Sequence, residues 1–333
     1  MSKDLQRKLI YSLAFALILY IALALWSDWQ DLTAAVSIFP WRLMPIVIGL
    51  TLVNYGGRLA RWHWYLRSVV RAPISLRDSA RIFGVGMMMV MTPGKAGEFF
   101  KSYMVKNVSG TPMSKTAPII LAERVLDGLA MIILAGLGLF AYPNPAARAV
   151  AAAVFAVFAG FIVVIQIRPL AIWFLERAER MPLISRFAAQ LEQLYESSYV
   201  IFSPRNMTIS LLTGLLCWSA TGLAYYVVLT GFGVTPGLMT AGLAIFIFNI
   251  STVIGAVIAL PGGLGGVEGS MVAWSSRLFQ LSSGAATAAA LLTRFCTLWM
   301  GVAIGLVCFL LWPELLAGSE SAERNKSSVI PTS

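Results

Sequence analysis

The sequence predicts an all-α, polytopic helical membrane protein built as an inverted repeat, with two broken, re-entrant helical hairpins and about six full spans. Three observations carry this prediction. Hydrophobic residues make up 58% of the chain and charged residues 12%, against about 25% charged in soluble domains. Several apolar runs reach about 20 residues, the length that crosses a hydrocarbon core of about 30 Å. Two apolar regions are interrupted by related stretches, Thr92–Phe99 (TPGKAGEF) and Leu260–Ser270 (LPGGLGGVEGS). A transmembrane β-barrel would need alternating segments of about ten residues, and the sequence has none.

Composition also narrows the function. The formal charge of +10 fits loops that meet anionic headgroups better than it fits nucleic acid, which is not expected as a partner. His63 is the only histidine, so no multi-histidine metal site is expected. Cys217, Cys296 and Cys308 sit in apolar runs without CxxC spacing and read as small core residues. There is no GxxxxGK[ST] and no GxSxG, and the longest polar connection is about 40 residues, too short for a soluble catalytic domain. No cofactor is expected.

Taken in order, Lys3, Arg7 and Lys8 precede the run Leu9–Trp26. Its 18 residues exceed the signal-peptide core of about 7–15, so an uncleaved first span is expected, with a cytoplasmic N-terminus. The second span, Pro40–Gly57, returns to the arginine cluster Arg58, Arg61, Arg67, Arg71, Arg77 and Arg81, a positive-inside signal. Ser79–Met91 is apolar but only 13 residues long. That is too short to cross and suits one arm of a re-entrant hairpin. Pro93 and Gly94 break it, and a second short helix over about Gly97–Val108 carries Lys101 and Lys106 back. The third and fourth spans are Ala117–Phe140 and Ala147–Ile167. From Pro182 to about residue 201 apolar residues recur at helical spacing among charges, as in a helix lying on the membrane surface. Met207–Thr230 is a fifth full span.

Leu238–Leu260 is long enough to cross, or to form one arm of a second hairpin closed by Gly269–Leu281. The repeat favours the hairpin. Each half runs span, Pro-Gly break, then a span bearing an arginine, and Pro93 to Arg124, 31 residues, is close in length to Pro261 to Arg294, 33 residues. The leading spans run in opposite senses, so the halves, about 40–140 and 207–312, are inverted. The last span is then Ala285–Trp312, within a single domain over 1–313, and 314–333 is a disordered, cytoplasmic tail.

Ionisable groups in spans cost about 2.5–3.5 kcal/mol each on insertion scales and need partners or water. Glu123, Arg124 and Asp127 share one helical face, and Arg124 can pair with Asp127 at i,i+3. Arg294 has no acid nearby on its own helix, so Glu268 or a substrate anion is its expected partner. Glu98 and Glu268 each open a helical segment after a break, where a carboxylate also caps free N–H groups. Lys95 lies inside the first break, where it meets phosphate as a point charge or simply faces water. Asn54 and Asn249 read as helix–helix hydrogen bonders, and Gly301-x-x-x-Gly305 as a packing face.

TPGKAGEFFKSYMV, LAERVLDGL and LPGGLGGVEGSMVA, in that order, resemble the signature segments of the transmembrane, flippase-like domain of lysylphosphatidylglycerol synthases. The resemblance covers about residues 5–313. It implies movement of phospholipid between leaflets by a stand-alone member, since the aminoacyl-transferase domain of the two-domain enzymes has no counterpart here. Lys95 stands where the family favours arginine, which keeps the charge and loses the bidentate phosphate fork.

The expected function is therefore lipid translocation in the bacterial inner membrane, by a transporter rather than an enzyme. An anionic or zwitterionic headgroup would meet Lys95, Glu98, Glu123, Arg124, Asp127, Glu268 and Arg294. Pro93, Gly94, Gly97, Pro261, Gly262, Gly263, Gly265 and Gly266 would line the cleft and act as hinges. Two alternatives stay open. One is a membrane-embedded transferase on a lipid-linked substrate, with Glu98 or Asp127 as catalytic carboxylate. The other is a scaffold for lipid-synthesis enzymes.

Overall fold

The computed structural model describes residues 29–92, 97–140, 203–258 and 260–316, with scattered positions between 145 and 173. All regular structure among the described residues is helical. The run Leu9–Trp26, most of the fourth span, the surface helix near 182–201, Pro93, Gly94 and Lys95, and the tail beyond 316 lie outside them. Four described stretches are long and apolar enough to cross a membrane: Trp41–Val69, Pro204–Gly231, Leu238–Ile258 and Ser283–Leu311.

The chain divides into two compact units. One takes Met1–Pro40, Trp62–Thr116 and Ile254–Ser333, the other Trp41–Arg61 and Ala117–Val253. Each draws on both of the stretches 40–140 and 207–312.

The first unit is arranged along one long helical rod. Its α9 (Ser283–Arg294) passes through a π-helical turn, Phe295–Trp299, into α10 (Met300–Leu311). Ser282 caps the start, its hydroxyl accepting from the Ala285 N–H at 3.2 Å. There α1 (Trp29–Ile38) packs so closely that a Cβ on Gly284 would lie 2.7 Å from the Asp31 side chain. At the far end the Arg81 guanidinium lies 5.1 Å from the centre of the Trp312 ring. Leu315, in the turn Pro313–Leu316, accepts a 3.2 Å hydrogen bond from Asn107. The chain thus keeps regular structure through Leu316, slightly past the expected start of the tail.

Two helices form a pair against this rod. α3 (Leu76–Met88) begins at a Ser75 cap that accepts from the Asp78 N–H at 3.1 Å. It runs antiparallel to α10, from Arg81 beside Trp312 to Met88 beside Gly305. Glycines permit the approach: a Cβ on Gly305 would strike the Met88 backbone, and one on Gly84 would lie 2.6 Å from the Cys308 sulfur. Gly301-x-x-x-Gly305 is therefore used inside the chain, through Gly305. A 3-10 turn, Met89–Met91, ends the run, and α4 (Phe100–Ser109) carries the chain back toward Leu315. Gly110, at φ +70°, stops α4, where a left-handed residue is least costly as glycine.

Met91 packs with Leu264, Leu298 and Val302. Leu298 lies about midway along Ser283–Leu311, roughly 20 Å from either end at 1.5 Å per residue. The α3–α4 pair therefore reaches the middle of the rod from its Trp312 end. From the other side, α8 (Gly266–Phe279) starts at this level and leads to the Ser282 cap.

In the second unit, α2 (Met44–Trp64) follows a 3-10 turn at Trp41–Leu43; its last residues, from Trp62, and the π turn that continues it, Tyr65–Val69, belong to the first unit. Helicity thus extends well past Gly57, where the second span was expected to end. α5 (Met113–Phe140) and α6 (Pro204–Gly231) bury Leu126, Leu129 and Met207 together. α7 (Leu238–Ile258) lies against α6 at Gly222, whose Cβ would be 3.0 Å from the Ile245 Cα, and against α5 at Gly138.

Candidate functional site

The second break is built by a closed set of polar contacts. Gly262, Gly263 and Gly265 all have positive φ, at 62°, 69° and 79°, which β-carbon sterics discourage in other residues. The turn needs a bonded partner because its peptide groups are buried. Arg294 supplies it. Its Nη2 donates to the Gly262 carbonyl at 2.6 Å, and its Nε donates to Glu268 Oε1 at 2.6 Å. Glu268 Oε2 accepts the Gly265 N–H at 2.8 Å, capping α8. The carboxylate is therefore both the expected counter-ion of Arg294 and the expected cap. The arginine ends α9, and the π turn begins at the next residue. Such wide turns recur at functional positions.

The glycines of this break also answer to close packing. A Cβ on Gly266 would lie 2.7 Å from Ile258, and one on Gly263 would lie 2.9 Å from Val267. A Cβ on Gly262 would lie 3.2 Å from the Met91 sulfur and 3.3 Å from Leu298. The flank of the first break and the turn of the second thus touch, at the middle of the rod. At the first break, Thr92 Oγ1 donates to the Met89 carbonyl and accepts the Gly97 N–H, both at 2.7 Å. Pro261, Gly97 and Glu98 are buried.

One residue at the first break carries more than its sequence suggested. Lys101 is buried, with its ammonium 4.5 Å from the Trp62 ring centre and 5.9 Å from that of Phe83. Its stem crosses α3 where Gly86 has no side chain, 2.7 Å from a would-be Cβ. The ring faces stabilise a cation there.

The second unit holds a separate buried ion network. Arg61 Nη2 donates to Asp127 Oδ1 at 2.7 Å, and its Nε lies 3.7 Å from Glu123. Its Nη1 donates to the Ser210 carbonyl at 3.2 Å. Arg124 lies 3.7 Å from Asp127, the expected i,i+3 pair, but is the outlying member, with 23% of its side chain exposed. Gly214 makes room: a Cβ there would lie 3.4 Å from Arg61 Nη1.

Arg61 corrects the sequence reading, which grouped it with loop arginines at the cytoplasmic face. Counting charges near a span end ignores which way each helix face points. A usable signal existed. Asn54, Gly57 and Arg61 form one stripe on α2, and all three meet α6. Asn54 Nδ2 donates to the Cys217 carbonyl at 2.9 Å and to Thr221 at 3.0 Å, across helices as expected. Asn249 differs, since its amide donates to Ile245 of its own helix at 2.9 Å. The cysteines are free, with Cys217 and Cys296 buried, as expected of small core residues.

The family described as Lysylphosphatidylglycerol synthase TM region matches residues 9–305. Two proteins called UPF0104 membrane protein, from Methanothermobacter thermautotrophicus, are similar to the chain. One is 25% identical over 328 residues, 90% of this chain and 92% of the relative. The other is 25% identical over 274 residues, 74% of this chain and 78% of the relative. Apolar helices of crossing length and a family match that takes in both Pro-Gly breaks lead to one conclusion: the chain is a multi-pass membrane protein belonging to the lysylphosphatidylglycerol synthase TM region family.

Proposed function

We propose that the chain is a lipid translocator of the bacterial inner membrane, with both termini cytoplasmic. In this reading α3–α4 is a re-entrant hairpin and α7–α8 forms its inverted counterpart. The observation that carries it is the meeting of Met91 with Gly262 at the middle of the Ser283–Leu311 rod, beside the buried Glu268–Arg294 pair. Irregular backbone at membrane depth is tolerated where it is buried in protein or lines a cavity, and paired breaks of this kind mark substrate sites in transporters built from inverted repeats. Lys95, Glu98, Glu268 and Arg294 would face the headgroup phosphate and any amine beside it, while the acyl chains stay in the bilayer. In the second unit the outlying Arg124, held by Asp127 and Glu123, would offer a further cation to an anionic headgroup. Rocking at Pro93-Gly94 and Pro261-Gly262 would expose the headgroup to alternate faces. With no nucleotide motif in the sequence, movement would be downhill or ion-coupled.

The test is leaflet exchange. The purified chain is placed in liposomes carrying fluorescent phospholipids, and dithionite reports the outer-leaflet fraction over time. Exchange above that of empty liposomes, slowed by Arg294→Ala, is the expected result. No exchange for any headgroup, or an unchanged rate in Arg294→Ala and Arg124→Ala, overturns the reading.

A further inference from the structure

We infer that the foot of the α3–α4 pair is a docking face for anionic phospholipid headgroups of the adjoining leaflet. The segment between α2 and α3 is held rigidly. The Val70 N–H donates to the Tyr65 carbonyl at 3.0 Å, that of Ala72 to Leu66 at 2.8 Å, and that of Ile74 to Ala72 at 2.9 Å. Ala72 and Ile74 are buried as plugs. What this anchored segment leaves outside is cationic: Arg67, Arg71 and Arg77 are exposed, and Lys106 joins them from the last turn of α4. Arg71 holds a left-handed backbone, φ 58°, without being glycine, a conformation that costs energy and persists only where surrounding structure fixes it.

These cations share one end of the unit, because Arg81 lies over Trp312 and Asn107 donates to Leu315. Among the described residues the carboxylates at this end are Asp78, which takes Arg81 at 3.4 Å, and Glu314. Among the described residues Arg67, Arg71, Arg77 and Lys106 form no ion pair. Large aliphatic side chains neighbour them in the chain: Leu76, next to Arg77, is 59% exposed, and Val108, two residues after Lys106, 39%. A free anion has no use for those side chains, whereas a membrane surface takes cations at its phosphates and aliphatics at the acyl boundary. That mixture decides for lipid over soluble phosphate.

The docking face is tested without reference to transport. The full chain is placed in phosphatidylcholine liposomes containing brominated phosphatidylglycerol or brominated phosphatidylcholine at equal mole fraction. Quenching of Trp312 is read as the difference between the wild type and Trp312→Phe. The anionic lipid should quench severalfold more, and about 1 M salt should erase most of the difference by screening. Arg67→Gln, Arg71→Gln, Arg77→Gln and Lys106→Gln should each lower the preference by up to about fivefold. The four combined should abolish it, and the single variants carry the test if the combined one fails to fold. Equal quenching by both lipids overturns the inference, as does a preference unchanged in every variant. Loss of the preference on adding inorganic phosphate at constant ionic strength overturns it too, since the face would then take a free anion.

Discussion

Arg61 of α2 and Asp127 of α5 meet at 2.7 Å with essentially no solvent exposure on either side chain. Taking one partner from a buried pair strands the other charge, which costs about 3–5 kcal/mol, whereas replacing both with apolar groups costs far less. Asp127→Asn should therefore lower the thermal unfolding temperature in detergent sharply, and Arg61→Met/Asp127→Leu should recover much of the loss. Equal loss in single and double variants would mean that the pair is not the stabilising unit. Gly214→Leu should resemble Asp127→Asn, because its side chain would occupy the space beside Arg61 Nη1.

The Glu268–Arg294 pair should behave differently from an ordinary ion pair, because Arg294 also holds the Gly262 carbonyl. Lysine keeps the charge but has no planar fork to serve both acceptors. Arg294→Lys should lose one charge-assisted hydrogen bond, about 1.5–3 kcal/mol, and Arg294→Met more. Melting temperatures in the order wild type, lysine, methionine would bear this out. A lysine variant as stable as wild type would show that the Gly262 bond contributes nothing.

Glycines in this protein divide by what surrounds them. At Gly305 a Cβ falls on the Met88 backbone, so Gly305→Val should overpack the α3–α10 contact by about 1–3 kcal/mol or more. At Gly49 nothing lies within 4 Å, and alanine there should be neutral or gain up to about 1 kcal/mol of helix propensity. Paired melting curves decide it, and a similar effect at both sites would rule out the contact as the cause.

The rod gives a topology prediction. Asp31 packs at the Gly284 end, and Asn107 bonds at the Leu315 end. In a cysteine-free background, single cysteines at Asp31 and Ser282 should react with an impermeant maleimide from one side of sealed vesicles. Cysteines at Lys106 and Glu314 should react from the other. Labelling of Asp31 and Glu314 from the same side would mean that Ser283–Leu311 does not cross.

Much of this was legible in the sequence, and the exceptions share a cause. The apolar runs Met207–Thr230 and Ala285–Trp312 foretold α6 and the long rod to within a few residues, because a span is set by hydropathy over many positions. Arg294 stood without an acid nearby on its own helix, which left Glu268 or a substrate anion as its expected partner, and the carboxylate takes it at 2.6 Å. Arg61 and Lys101 were misplaced because their burial depends on which neighbour covers one helical face. Arg61 needed Asp127 at a sequence distance of 66 residues, and Lys101 needed the Trp62 ring. The π turn after Arg294 left no compositional mark at all, as one wide turn changes no hydrophobic period appreciably.

The bond from Arg294 to the Gly262 carbonyl joins two parts of the chain that leave the ribosome at different times. Glu268 and the glycine turn are made first, and their partner follows 32 residues after Gly262. Until that arginine is made, Glu268 can cap the Gly265 N–H but lacks its counter-ion, and the Gly262 carbonyl lacks its donor. A chain cut short before residue 294 would keep the carboxylate cap of the turn and lose both arginine bonds.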